Sequence, residues 1–186
     1  MKKTTAHIMS GYGGSLAGLP GAMLVNVSPD YVRRVREQLG PGKQIVVRWW
    51  EWTQPLDAPE QDALDWFCRH KSDMLQMCDG GRDKYVAFQA YNEIPGALSE
   101  AYWFFEQRRM ELMHADNLPV ALFAWSVGEP HTAIWPMFVP LLRNMRPEDL
   151  ALLHEYYVDT ADIDNPWHCA RWQLVPELAD VRIAMA

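Results

Sequence analysis

Short apolar runs alternate along the chain with longer stretches that are apolar on one side only. Ala22–Val27, Gln44–Trp50, Tyr85–Tyr91, Val120–Val127 and Leu150–Tyr157 carry apolar side chains at odd and even positions alike, which predicts strands buried on both faces. Thr5–Ser10 and Asp180–Ala186 bring the expected strands to about seven. Between them the apolar positions recur at helical spacing, predicting helices over Pro29–Leu39, Glu60–Met77, Ser99–Ala115, Ile134–Asn144 and Trp167–Leu178. Ser28-Pro29-Asp30 is a helix start, with a capping serine, a proline in the first turn and an acid near the positive end of the dipole. Gly40-Pro41-Gly42 stops that helix.

Strand and helix therefore alternate throughout, the pattern of a parallel sheet covered by helices. Two architectures fit, an open doubly wound sheet and a (β/α)8 TIM-type barrel. A nucleotide-binding doubly wound sheet needs three glycines after its first strand, and Gly11-Tyr12-Gly13-Gly14-Ser15-Leu16 puts leucine at the third. A barrel instead collects polar groups after several strands. Here they follow the third (Arg48, Trp50 to Trp52), the fourth (Asn92-Glu93), the fifth (Trp125, Glu129) and the sixth (His154 to Tyr157). The expectation is an α/β fold: one domain, residues 1–186, forming an incomplete barrel whose chain ends in its seventh strand.

Composition narrows the partners. The 186 residues are 49% hydrophobic and 22% charged, enough for one core. A net charge of −7 and no basic run longer than Arg33-Arg34 or Arg108-Arg109 argue against nucleic acid. Three cysteines without a CxxC pair fit a reducing compartment. With no apolar signal-peptide core after Lys2-Lys3 and no membrane-length apolar run, the expectation is a cytoplasmic protein without membrane contact. No cofactor motif stands out. His154-Glu155 opens like a zinc-binding HExxH helix, but Val158 replaces the second histidine, so no metal is expected.

The candidate chemistry centres on Tyr91-Asn92-Glu93, where a buried strand breaks into an amide and a carboxylate before Ile94-Pro95. At a barrel's carboxyl edge Glu93 is a candidate proton donor; the plainer alternative makes Asn92 and Glu93 a cap for the next helix. Tyr91-Asn92-Glu93, Ser126-Val127-Gly128 and His154-Glu155-Tyr156, each closing a strand, resemble the catalytic barrels of clan A glycoside hydrolases, the cellulase-like superfamily. More narrowly, Leu150 to Tyr156 is similar to the sixth strand of bacterial and phage-associated glycosidase-like proteins.

The resemblance implies retaining hydrolysis of O-glycosidic bonds in a poly- or oligosaccharide. It makes Glu93 the acid/base and Asn92 the partner of the sugar hydroxyl beside the reacting carbon. His154 and Tyr156 match the His-x-Tyr pair of the sixth strand, and Arg48 matches an arginine that steadies the nucleophile. The family's nucleophile is a glutamate ending the seventh strand, expected here beyond residue 186. A retaining enzyme needs two carboxyl groups about 5–5.5 Å apart. Glu155 is a possible second carboxylate, although strand alternation puts it on the face opposite His154 and Tyr156. Of the nine tryptophans, Trp50, Trp52, Trp125 and Trp135 lie near the expected active face, where a flat ring stacks on a sugar or simply packs. The alternative function is a degenerate, non-catalytic barrel that binds carbohydrate or a protein partner.

Overall fold

The computed structural model describes residues 3–4, 6–9, 15–125, 129–153, 175–179, 181 and 183–185. Five parallel strands form a curled half-barrel and alternate with helices: β3 (Gly21–Val25), β4 (Gln44–Arg48), β5 (Val86–Gln89), β6 (Val120–Trp125) and β7 (Leu150–Leu153). Shorter segments extend the sheet, β1 (Lys3–Thr4), β2 (Ala6–Met9) and β8 (Ile183–Met185). β2 pairs with β3, β8 with β7 and β1 with β8, all parallel. Five of the seven expected strands form this half-barrel, and the terminal two, expected over Thr5–Ser10 and Asp180–Ala186, correspond to the shorter segments β2 and β8.

The strands end earlier than the apolar runs predict. β3 stops at Val25 because Asn26 turns left-handed (φ 51°), β4 stops at Arg48 and β5 at Gln89. The sixth expected strand is described only as Leu150–Leu153. His154, Glu155 and Tyr156 lie outside the described residues, as do the Ser126-Val127-Gly128 step and most of the helix expected at Trp167–Leu178. From that helix, Pro176–Leu178 forms a single 3-10 turn.

The helices fall close to expectation: α1 (Pro29–Leu39), α2 (Pro59–Met77), α3 (Ser99–Ala115) and α4 (Trp135–Arg143). Ser28 Oγ caps α1 by accepting from the Tyr31 amide at 3.3 Å, and Gly40 (φ 82°) ends it with its N–H on Arg36 O. Two apolar clusters separate the faces of the sheet. On the outer face Ala22, Leu24, Ile45, Val47, Phe88 and Leu122 pack against helix residues such as Trp66, Phe67, Tyr102, Phe105 and Phe138. Among the described residues the inner cluster (Met23, Val46, Ala87, Ala121, Ala124, Leu150, Leu152) is made of strand residues, and none is more than 1% exposed. The curl of the sheet into a half-barrel brings these side chains toward one another. Three alanines among its members suit a narrow interior.

One irregularity changes which side chains face inward. β6 shifts register between Phe123 and Trp125, and Phe123 and Ala124 both have positive φ (80° and 57°). Without that bulge Trp125 would share the inner face with Ala121. With it, Phe123 and Trp125 both point into the helix layer, where Trp125 meets Tyr102 at 4.9 Å and Phe138 at 5.6 Å between ring centroids. The expected role of Trp125 at the active face is corrected by this shift: its side chain is fully buried in the outer core. Trp135 is buried there too, beside Phe123.

Candidate active site at the carboxyl edge

The ends of β4 and β5 build a cavity of about 330 Å³, lined by Arg48, Trp49, Trp50, Glu51, Gln54, Asn92 and Glu93. Its floor is set by strand register. Arg48 and Gln89 are paired positions on neighbouring strands, and both are buried on the inner face. Arg48 Nη1 donates to Asn92 Oδ1, and Gln89 Nε2 donates to the same oxygen at 3.2 Å and to Tyr91 O at 3.1 Å. With its oxygen claimed by two donors, the Asn92 amide is oriented so that its NH2 group serves as a donor. Burial draws the Arg48 guanidinium below its ordinary pKa, and the charge of Glu93 works in the opposite direction. Arg48 also lies under the Trp50 ring, 5.7 Å from its centroid.

A side chain that sequence reasoning missed fixes the turn itself. Gln54, in the loop after β4, donates from Nε2 to Asn92 O at 3.0 Å and accepts from the Asn92 N–H through Oε1. One amide thus pairs with both backbone groups of Asn92, much as a neighbouring strand would. Glu93 follows in a left-handed conformation (φ 55°), its N–H bonded to Ala124 O at 2.9 Å. The bulge in β6 therefore supplies the carbonyl that holds Glu93. The cap alternative fails, because α3 starts at Ser99 with Leu98 at its cap position and the 3-10 turn Gly96–Leu98 intervenes.

The outer wall is aromatic and acidic. Trp50 and Trp52 are 51% and 90% exposed and meet edge to face at 5.7 Å. The Trp50 N–H donates to Asn26 Oδ1 at 2.6 Å, while the Asn26 N–H returns to Arg48 O at 3.0 Å, so Asn26 ties β3 to the start of this loop. Glu51 turns toward α2, where Arg69 and His70 hold it. Glu93 is exposed at the mouth.

The structure thus brings together Arg48, Trp50, Asn92 and Glu93 from the sequence reading and leaves Trp125 and Trp135 in the core. Glu129 lies across the edge, its carboxylate against Gly96: a Cβ there would come within 2.2 Å of Oε2. Gln54, Gln89, Glu51 and Asn26 were missed. For Gln89 a signal existed, a lone amide in an otherwise apolar strand; Gln54 and Glu51 sit in a polar loop where nothing marks them. Among the described residues no group of three or more His, Cys, Asp or Glu could hold a metal ion, and no helix is long and apolar enough to cross a membrane. Compared with protein-family models, curated proteins and solved structures, the chain matches none of them, so the resemblance to clan A glycoside hydrolases rests on the strand-end motifs alone.

Proposed function

We propose that the protein is a glycoside hydrolase-like barrel that binds a poly- or oligosaccharide at the carboxyl edge of its sheet, with Glu93 as the proton donor. The observation that carries this reading is the cavity after β4 and β5, where an oriented amide, a buried guanidinium and a carboxylate converge beside exposed tryptophans. Saccharides need this combination, since each sugar ring presents hydroxyl groups at its rim and a C–H face that stacks on an indole. The barrel part of the reading is supported by the buried inner cluster of strand residues and by the edges: β1 pairs with β8 and β2 with β3, and β1 and β2 are one residue apart in the chain.

In the proposed reaction Glu93 gives its proton to the glycosidic oxygen as the bond to the anomeric carbon breaks. The oxygen of a water molecule ends on that carbon, and the second proton of the water restores Glu93. Asn92 donates to the neighbouring sugar hydroxyl. His154, Tyr156 and Glu155 remain part of the proposal on the strength of the resemblance, as does a retaining course. In that course a second carboxylate bonds to the anomeric carbon as the leaving oxygen departs and is then displaced by the water oxygen.

The test is Glu93→Gln in the full chain. Hydrolysis of glycosides with poor leaving groups should fall about 100-fold or more, whereas dinitrophenyl glycosides, which need little protonation, should lose far less. Equal loss on both kinds would remove Glu93 from the acid role. One observation favours the second reading, a barrel that binds saccharide without cleaving it. Glu51, the other carboxylate lining the cavity, is already held by Arg69 and His70. Saccharide binding with no turnover on any glycoside would select that reading.

A further inference from the structure

The proposed chemistry leaves the acidic wall of the cavity unused. Glu51 stands three residues beyond β4, its side chain 14% exposed, and lines the cavity beside Trp50, Gln54 and Glu93. It is gripped from α2. Arg69 Nη1 donates to Oε1 at 3.1 Å and to Oε2 at 2.9 Å, and His70 Nε2 lies 2.9 Å from Oε1. The imidazole is fixed in turn: it stacks on Trp49 at 4.2 Å with 20° between the planes, and Trp66 lies at 5.1 Å. Because a carboxylate accepts only, the proton on this bond belongs to His70 Nε2.

Stability alone is a poor reason for the Arg69 contact. Arg69 is 57% exposed, and a pair of that kind contributes little. What the arrangement does is aim the carboxylate. A carboxylate offers about four acceptor positions, and here Oε1 takes two contacts while Oε2 takes one. Oε2 keeps the larger share of acceptor capacity. The floor of the site gives an independent sign. Arg48 Nε and Gln89 Oε1 are buried without a hydrogen-bond partner, one a donor and one an acceptor, on side chains that share Asn92 Oδ1. A hydroxyl, like water, both gives and takes a hydrogen bond, so a bound hydroxyl can replace water on orphans of both kinds.

We infer that Glu51 is a ligand-binding carboxylate of this cavity, accepting a hydroxyl hydrogen of the bound saccharide through Oε2, with Arg69 and His70 as its positioning residues. This rests on the saccharide reading and deepens it. It also gives the site a preference: a sugar bearing a free hydroxyl at the bound position is taken, and one with an acidic group there is rejected.

The experiment titrates the full chain with tetrasaccharides of glucose, xylose, mannose and N-acetylglucosamine, following tryptophan fluorescence and heat. Glu51→Gln keeps the shape and an acceptor for His70 but weakens the acceptor offered to the ligand. Affinity for whichever probe the wild type binds should fall about tenfold or more, with an unchanged melting temperature. Arg69→Ala should lose part of the affinity, and Arg69→Lys should recover it. In the wild type alone, saccharide should shift the His70 ring resonances through the shared carboxylate, a readout that survives if Glu51→Gln does not fold. Binding with equal affinity by wild type and Glu51→Gln, or His70 signals that ignore a bound saccharide, would overturn the role of Glu51 and leave the saccharide reading standing. Failure of the wild type to bind any of the four overturns both.

Discussion

Arg109→Met should be the most damaging single change in the described part of the fold outside the cavity. Arg109 and Glu106 are both fully buried on α3, against the seam where β5 and β6 pair at only two positions. The guanidinium bonds Glu106 Oε2 from Nε at 2.8 Å and from Nη2 at 2.5 Å, Phe88 O at 3.0 Å and Ala121 O at 2.9 Å. It therefore links one carbonyl from each strand where the ladder between them is thin. Methionine fills much of the volume but leaves the buried Glu106 carboxylate without its cation and removes the guanidinium's bonds to two strand carbonyls. Breaking a buried pair by removing one partner costs about 3–5 kcal/mol, a large part of the roughly 5–15 kcal/mol that holds a domain folded.

The assay is equilibrium unfolding in urea. With a slope of about 2 kcal/mol/M, a loss of about 4 kcal/mol lowers the midpoint by about 2 M. The double variant Arg109→Met, Glu106→Leu separates the contributions. Removing both charges should restore part of the loss, but not all of it, because the Phe123 N–H loses Glu106 Oε1 as its acceptor and the bonds of the guanidinium to Phe88 O and Ala121 O are not replaced. A midpoint drop below about 0.5 M for the single variant, or a double variant no better than the single, would refute the reasoning.

Two further outcomes test the cavity wall. Gln54→Ala removes both bonds to the Asn92 backbone, so stability should fall by about 1–2 kcal/mol, and the Asn92 amide should exchange with solvent about tenfold faster; unchanged exchange would show that Gln54 does not clamp the turn. His70 has a pKa drawn below 6.5, by burial first, against the opposing hydrogen bond and charge of Glu51. Its folded value lies below its unfolded one, so its contribution is complete above the unfolded pKa and is lost as pH falls through the folded pKa. Wild type should lose more melting temperature between neutral pH and about pH 5 than His70→Gln does, and parallel profiles would refute the assignment.

Much of the architecture was legible because burial follows period. Helix α3 begins and ends where the apolar spacing of Tyr102, Phe105 and Arg109 predicts, and the runs that are apolar on both faces became the central strands. What period cannot show is a change of period. Phe123 and Ala124 are ordinary strand residues, nothing in them announces left-handed backbone, and so Trp125 was read onto the wrong face. Partner identity was equally hidden. Arg109 reads as one more position on an apolar stripe, and its burial makes sense only once Glu106 and two strand carbonyls are seen around it. The Asn92-Glu93 step was legible as chemistry, since a polar pair closing a buried strand has few other uses. The loop that clamps it was not, because Gln54 lies 38 residues away.

The strain at the carboxyl edge links these two parts. Asn26, Glu93, Phe123 and Ala124 are non-glycine residues in left-handed backbone, a conformation that costs each about 1–3 kcal/mol and persists only when its surroundings over-determine it. Asn26 is held by its bonds to Arg48 O and to the Trp50 N–H. Phe123 is held from α3, where its N–H meets Glu106 Oε1 and its carbonyl accepts from the Tyr102 hydroxyl. Ala124, the next residue, offers the carbonyl that fixes the Glu93 amide. The path from the buried Arg109–Glu106 pair to the carboxylate at the cavity mouth is therefore a short run of hydrogen bonds and one strained dipeptide. A regular β6 would leave no carbonyl at that height for Glu93 and would turn Trp125 into the interior, where the alanine-lined floor has no room for it. The bulge and the buried pair are thus one device, and an exposed residue such as Glu93 takes its orientation from the core beneath it.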